Sequence, residues 1–210
     1  MKFNADDLFL VDYFEQLYLP NHKSHMKFLI QNIPRWVQYY TQIESRLRFS
    51  RPLCIVLDID ETILCNMCET EYVSNDGTKT SVAEKFNWNE NPIYNPLLPL
   101  GRELIDCILL HEVQIVFISG RTESIRHETI ENFKLLGLPF DTQLLNYPSK
   151  IMFHKSDSDG RPVECYKTET RKKLLSDYRI MLNVGDQTTD MGQESDINYL
   201  LSHPFYELIY

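Results

Sequence analysis

Apolar residues between positions 26 and 49 recur at the spacing of a single helix face. In MKFLIQNIPRWVQYYTQIESRLRF these are Phe28, Leu29, Ile33, Trp36 and Tyr40. The pattern predicts a helix over 23–48, and a second over 5–20. Pro34 is expected to start a new helix or to kink this one, because it has no N–H and its ring crowds the preceding turn. The period changes at 53–58. Cys54 to Leu57 form an unbroken apolar run, the mark of a strand buried on both faces. Residues 65–96 break the rhythm again. They are polar, aromatic and rich in Asn, with SNDGTKTS as a turn, and read as an insertion outside the core.

From Leu97 onward helices and strands alternate. LPLGRELIDCILLHE predicts a helix with Pro99 near its start, and VQIVFISG a strand ending at Gly120. TESIRHETIENFKLLG predicts a helix closed by Gly137. TQLLNYPS reads as a short strand, and FHKSDSDGRPVECYK as a hairpin turning at Asp159-Gly160. TETRKKLLSDY then predicts a helix and RIMLNVGD a strand. This alternation implies an α/β fold: a Rossmann-like parallel sheet covered by helices on both faces. The expected organisation is an N-terminal helical segment, 1–50, packed on a core of 51–210. A small cap is inserted at about 65–96, after the first core strand.

Composition narrows the function. The chain has 210 residues and a formal net charge of -9, which disfavours non-specific binding to nucleic acid or anionic membrane. A local cationic site can still hold an anionic substrate. Five cysteines, an odd number in a chain of this size, argue against a disulfide framework. The N-terminal apolar patch is broken by Asp6, Asp7 and Asp12, unlike a signal peptide, and no run approaches a membrane span. The expectation is a soluble, cytoplasmic protein.

The chemistry gathers at strand ends. The apolar run of 54–57 leads into Asp58, Asp60 and Glu61, a concentration of charge that needs a neutraliser. Residues i and i+2 on a loop leaving a strand can face one ligand. Two carboxylates held close have their pKa values pushed apart, so one attacks while the other carries a proton. Asp186 and Asp190 add carboxylates at another strand end, and Asp oxygens without a Cys or His ligand pattern favour a hard cation, most simply Mg2+. Ser119 and Gly120 offer a hydroxyl and a backbone N–H where a helix begins, a suitable cradle for phosphate. Lys167, expected between the hairpin and the next helix, can bridge carboxylate and phosphate.

LDIDETIL, FISGR, YKTETR and NVGDQTTD occur in the order and spacing of the four motifs of the haloacid dehalogenase-like superfamily. They most resemble its acid phosphatase branch, the class B, class C and plant vegetative-storage-protein-like enzymes. Phe86 and Trp88 in the insertion, PLLP before a helix and the ending LSHPFYELIY are similar too. The resemblance covers roughly 50–210. It implies that Asp58 is the nucleophile and that Asp60 is the general acid and then the base, with its carbonyl on the metal. It implies that Ser119 and Gly120 hold the phosphoryl group and that Lys167 stabilises it. Asp186 would bind Mg2+ directly beside Asp58 and Asp60, with Asp190 in support behind them. Secreted members of the branch carry signal peptides, which this chain does not show. Inactive storage-type members lack the nucleophilic Asp, which is present here.

Blander readings accompany each feature. Arg121 is assigned either to substrate or to a pair with Glu61 or Glu123. Lys172 and Lys173 form a solvated helix face, standing in for Lys167 only if it fails. Cys65 and Cys68 have no second pair to complete a zinc site and read as ordinary thiols. DSDG, followed by Pro162, is a turn and not a calcium loop. The functional expectation is a Mg2+-dependent phosphomonoesterase acting on a small phosphorylated substrate through an aspartyl-phosphate. The alternatives are a catalytically silent interaction or effector protein on the same scaffold, and a phosphotransferase.

Overall fold

The computed structural model describes residues 19–65, 67–73, 79–85, 95–138 and 152–201. The helix read at 5–20 and the strand read at 142–149 lie essentially outside them. Helix α1 spans Leu19–Glu44, and strand β1 follows at Leu53–Leu57. The insertion holds an antiparallel ribbon, β2 (Met67–Val73) with β3 (Lys79–Lys85), where the sequence pattern had suggested no strand. Then come α2 (Gly101–Leu110), β4 (Gln114–Thr122), α3 (Arg126–Leu135), β5 (Met152–Lys155), α4 (Val163–Leu174), β6 (Arg179–Gly185) and β7 (Ile197–Leu200).

The main sheet is parallel, in the order β5-β4-β1-β6-β7, with β1 at its centre. Successive β1 residues face opposite layers, as period-two geometry requires. Ile55 and Leu57 join Ile115, Phe117, Leu182 and Val184 on one face, under Met26, Leu29 and Ile33 of α1, Ile105 and Ile108 of α2, and Phe133 of α3. Cys54 and Val56 join Val116, Ile118 and Ile180 on the other face, under Leu174 of α4. From β1 the chain moves outward through β4 to β5, then crosses back to β6 on β1's other side. That reversal makes a crevice beyond the carboxyl ends of the strands, the usual ligand position in such sheets.

Pro34 neither starts a helix nor ends one: α1 runs through it unbroken. Proline removes the N–H that would have bonded to the carbonyl four residues earlier. That carbonyl belongs to Ile30, and it accepts the Cys107 thiol of α2 instead, at 3.6 Å. Gly137 does close α3. It has φ 58°, and the bonds Gly137 N–H to Lys134 O and Leu138 N–H to Phe133 O form the expected cap.

The hairpin expected at 153–167 is absent. After β5 the chain makes a turn at 157–158 and enters α4 directly at Val163. Pro162 decides this: it cannot donate to a returning strand, and its fixed φ suits a helix start. Lys167 therefore lies within α4 and not ahead of it.

The ends of the insertion are pinned together. Cys65 N–H donates to Pro96 O and Leu98 N–H to Ile63 O, each at 2.9 Å, so residues 66–94 leave and return beside the loop after β1. Among the described residues, Cys54, Cys65, Cys107 and Cys165 are thiols and not disulfides, and no helix is long and apolar enough to cross a membrane.

Candidate active site

The loop after β1 is built to hold charge at the sheet's end. Asp58 N–H continues the ladder, donating to Val184 O of β6 at 2.9 Å, which fixes the backbone where the apolar run stops. Ile59 turns into the core, fully buried, so Asp58 and Asp60 project from the opposite side. Glu61 takes a left-handed φ of 53°, and its N–H closes the turn on Leu64 O at 2.8 Å.

Asp58 and Asp60 enter different surroundings. Asp58 is buried and accepts from Lys167 Nζ at 2.6 Å. Lys167 is buried as well and also donates to Asp190. Asp58, Asp186 and Asp190 can each bring a carboxylate oxygen within 4.8 Å of the others. Asp60 lies on another partner: both of its oxygens accept from Arg121 Nε, at 2.9 and 3.0 Å, and one accepts from Arg121 Nη2 at 2.5 Å. Arg121 thus forms an ion pair with Asp60, while Glu123 pairs with Arg126 at 2.5 Å.

Burial raises the pKa of Asp58, and neighbouring Asp190 and Asp60 raise it further against the pull of Lys167. Asp186 is raised well above its ordinary value, first by burial and then by Asp58 and Asp190. Burial disfavours the Lys167 ammonium, but Asp58 and Asp190 outweigh it and hold its pKa above the usual lysine value. These shifts share one cause. Three carboxylates face one ammonium, so the cluster carries surplus negative charge and draws in protons or a cation.

Asp190 reaches the cluster by folding back over the end of β6. Its Oδ2 accepts Gln187 N–H at 3.0 Å. Its carbonyl is held by Arg171 Nη1 at 2.6 Å and by Asn183 Nδ2 at 2.7 Å. The fold-back needs Gly185, because a Cβ there would lie 2.3 Å from Asp190 Oδ2. Gly185→Ala is therefore expected to push Asp190 off Lys167, costing about 1–3 kcal/mol. Chemical denaturation reads the cost; wild-type stability in the variant would mean that the contact is dispensable.

The remaining predicted residues come from β4. Ser119 is buried, and its Oγ accepts Arg121 N–H at 3.1 Å. The pairing of β4 with β5 skips Gly120 and Arg121, an irregularity that frees the backbone just where the strand meets the site. Sequence reasoning passed over the residues behind this edge. Thr129 Oγ1 accepts from Arg121 Nη1 at 3.0 Å, and His154 Nε2 stands 3.4 Å from the same oxygen. Burial, then Arg126 and Arg121, push the His154 pKa down to about 4, so the ring is neutral near pH 7. Arg171 was also unassigned. Its one signal was its i+4 spacing from Lys167, which puts both cations on one face of α4.

The chain is similar in sequence to vegetative storage protein 1 of Arabidopsis thaliana, at 24% identity over 153 residues, 72% of this chain and 54% of the relative. It is similar to the class B acid phosphatase of Xenorhabdus bovienii (strain SS-2004), at 25% over 171 residues, 78% of this chain and 66% of that protein. The chain thus spans between half and two thirds of the length of these relatives. The fold is shared with the class C acid phosphatase from Bacillus anthracis, with a TM-score of 0.57 and 19% identity, covering 89% of this chain and 70% of that one. The tungstate-bound structure of that enzyme gives a TM-score of 0.60 at 18% identity. A family model, HAD superfamily, subfamily IIIB (acid phosphatase), matches residues 13–208. The match takes in all four motifs together with α1, and the chain belongs to that family.

Proposed function

We propose that the chain is a phosphomonoesterase whose nucleophile is Asp58 and whose general acid and base is Asp60. The observation that carries this reading is the unequal treatment of two carboxylates only two positions apart. Asp58 is buried against Lys167, and Asp60 is gripped by Arg121. In the first step an Asp58 oxygen bonds to phosphorus as the bond to the ester oxygen breaks, and a proton on Asp60 passes to the departing alcohol. In the second, Asp60 takes a proton from water as its oxygen displaces the Asp58 carboxylate and phosphate leaves. Lys167 counters charge on Asp58 and on the transferring group, while the Ser119 hydroxyl and the Gly120 N–H receive the phosphoryl oxygens.

Arg121 accounts for the timing. With both oxygens accepting from the guanidinium, Asp60 is held as an acceptor, which suits the water step. Giving a proton to a leaving group requires the pair to loosen. Asp60→Asn should consequently cost alkyl phosphates at least about tenfold more than p-nitrophenyl phosphate in the phosphorylation step, because the aryl oxide departs unprotonated. Burst kinetics isolate that step. Equal loss for both substrates would remove Asp60 from the acid role.

The donor set fits a divalent cation. Asp58, Asp186 and Asp190 offer hard oxygens at close quarters, with negative charge in excess of Lys167. Mg2+ is the proposed ion, held by Asp58, Asp186 and the Asp60 carbonyl with Asp190 behind them. When bound it neutralises charge on the phosphoryl oxygens. Metal binding must displace the protons that burial favours on Asp58 and Asp186, so affinity weakens as pH falls and strengthens as it rises. The sign follows from the raised carboxyl pKa values. Their contribution to metal-free stability is present at low pH and is lost as pH rises through the folded-state values. Buried His22 and His154, each lowered to about 4, bias the same melting curves the other way. The difference in Tm with and without Mg2+ isolates the site, and it should grow with pH. A difference that is flat, or that shrinks with rising pH, would refute the metal assignment.

The testing experiment for the function is hydrolysis of p-nitrophenyl phosphate with Mg2+ and with EDTA. Turnover only with the metal is expected. The match to vegetative storage protein 1 favours a second reading, a storage or interaction role on this scaffold. Metal-responsive melting without turnover of any phosphate ester would point to it.

A further inference from the structure

We propose that His22, on α1, is a positioning residue for the loop bearing Asp58 and Asp60. The inference rests on the phosphatase reading of that loop. His22 is fully buried, and its Nε2 lies 3.2 Å from the Thr62 carbonyl, two residues past Asp60. A carbonyl only accepts, so Nε2 carries the proton and donates it. Burial lowers the imidazole pKa to about 4, against the Thr62 and Pro99 carbonyls, which raise it. The bond therefore involves a neutral ring at working pH.

The turn from Ile59 to Leu64 explains why this bond matters. Local backbone bonds use the Ile59 carbonyl twice, from Ile63 and Leu64, the Leu64 carbonyl from Glu61, and the Ile63 carbonyl from Leu98. The Thr62 carbonyl is held instead by a side chain that lies 40 residues earlier. Thr62 follows directly on the strained Glu61, whose left-handed φ must be maintained by its surroundings. Rotation of the Thr62–Ile63 peptide would loosen the turn that keeps Glu61 in its left-handed conformation and Asp60 on Arg121. His22, bonded to the carbonyl of that peptide, opposes the rotation. It is itself rigidly mounted, because Met26, Leu29 and Ile33 bury α1 on the sheet, and His25 Nδ1 meets the Tyr199 hydroxyl of β7 at 2.9 Å.

This gives the N-terminal helix a place in the site's architecture. Its anchor lies beside Pro99, just past the pinned ends of the insertion. Geometry set there governs how Asp60 takes the proton from the attacking water, a step common to every ester, and has little bearing on phosphate affinity.

The test compares His22→Leu, which keeps bulk but removes the donor, with His22→Gln, whose amide N–H can reach the same carbonyl. With p-nitrophenyl phosphate and Mg2+, the Leu variant should lose about 10- to 100-fold in kcat with KM within about twofold, and the Gln variant should recover most of the loss. Amide exchange in the Leu variant should quicken at Ile63 and Leu64 while β4 stays protected. Wild-type kcat in folded His22→Leu, or equal losses in both variants with exchange rising throughout the sheet, would overturn the proposal. If wild type does not hydrolyse the ester, the phosphatase reading fails. The positioning claim is then judged by exchange alone: selective quickening at Ile63 and Leu64 supports it, and uniform or unchanged exchange refutes it.

Discussion

Asp58→Asn is expected to lose at least about three orders of magnitude in turnover of p-nitrophenyl phosphate. It should fold normally, since the amide is nearly isosteric and can turn its oxygen toward Lys167 Nζ, which sits 2.6 Å from the carboxylate in the wild type. Its metal-free stability should rise. One buried carboxylate fewer relieves the surplus charge that pushes Asp186 upward in pKa. Activity and stability then move in opposite directions, as expected where a site's charge is kept for chemistry at a cost to the fold. Steady-state kinetics and denaturation of the same preparation check both. A variant that retains a few per cent of wild-type activity, free of contamination, would remove Asp58 from the nucleophile's role.

Lys167→Met is expected to do comparable damage by another route. The ammonium is buried between Asp58 and Asp190, and the thioether that replaces it cannot neutralise either. Breaking a buried pair from one side strands charge and costs about 3–5 kcal/mol. The cost should be largest near neutral pH without metal. It should shrink as pH falls and the stranded carboxyls take up protons, and shrink again when Mg2+ is added. Turnover should be lost at every pH, because the transferring phosphoryl group loses its fixed cation. Denaturation at two pH values, with and without Mg2+, reads the pattern. A variant as stable as wild type in metal-free neutral buffer would show that Lys167 does not hold the cluster together.

Much of the site was legible because charge at the end of an apolar strand demands explanation. Asp58, Asp60, Ser119 and Asp186 all follow or end strands whose apolar runs are read from period alone. Lys167 was legible as a residue and misread as a position. Asp159-Gly160 suggested a hairpin, but Pro162 overrode it with a helix start. Pro34 starts no new helix because the remedy is remote: the orphaned Ile30 carbonyl is satisfied by Cys107, 77 residues later. The Arg121–Asp60 pair and the Thr129 and His154 contacts behind it depend on how β4, α3 and β5 pack. No local pattern encodes such contacts. The β2–β3 ribbon was missed because neither MCETEYV nor KTSVAEK alternates cleanly between apolar and polar residues.

The central claim is a covalent phosphoryl group on Asp58, and its most direct measurement is rapid acid quench followed by mass spectrometry. Protein mixed with p-nitrophenyl phosphate and Mg2+ should show, within the first turnover, the added mass of one phosphoryl group. Fragmentation should place it on Asp58, and it should decay as phosphate appears. In Asp60→Asn the adduct should persist, because the attacking water has lost its base. Ester hydrolysis with no adduct at any quench time in either protein, or an adduct on a residue other than Asp58, would contradict the account.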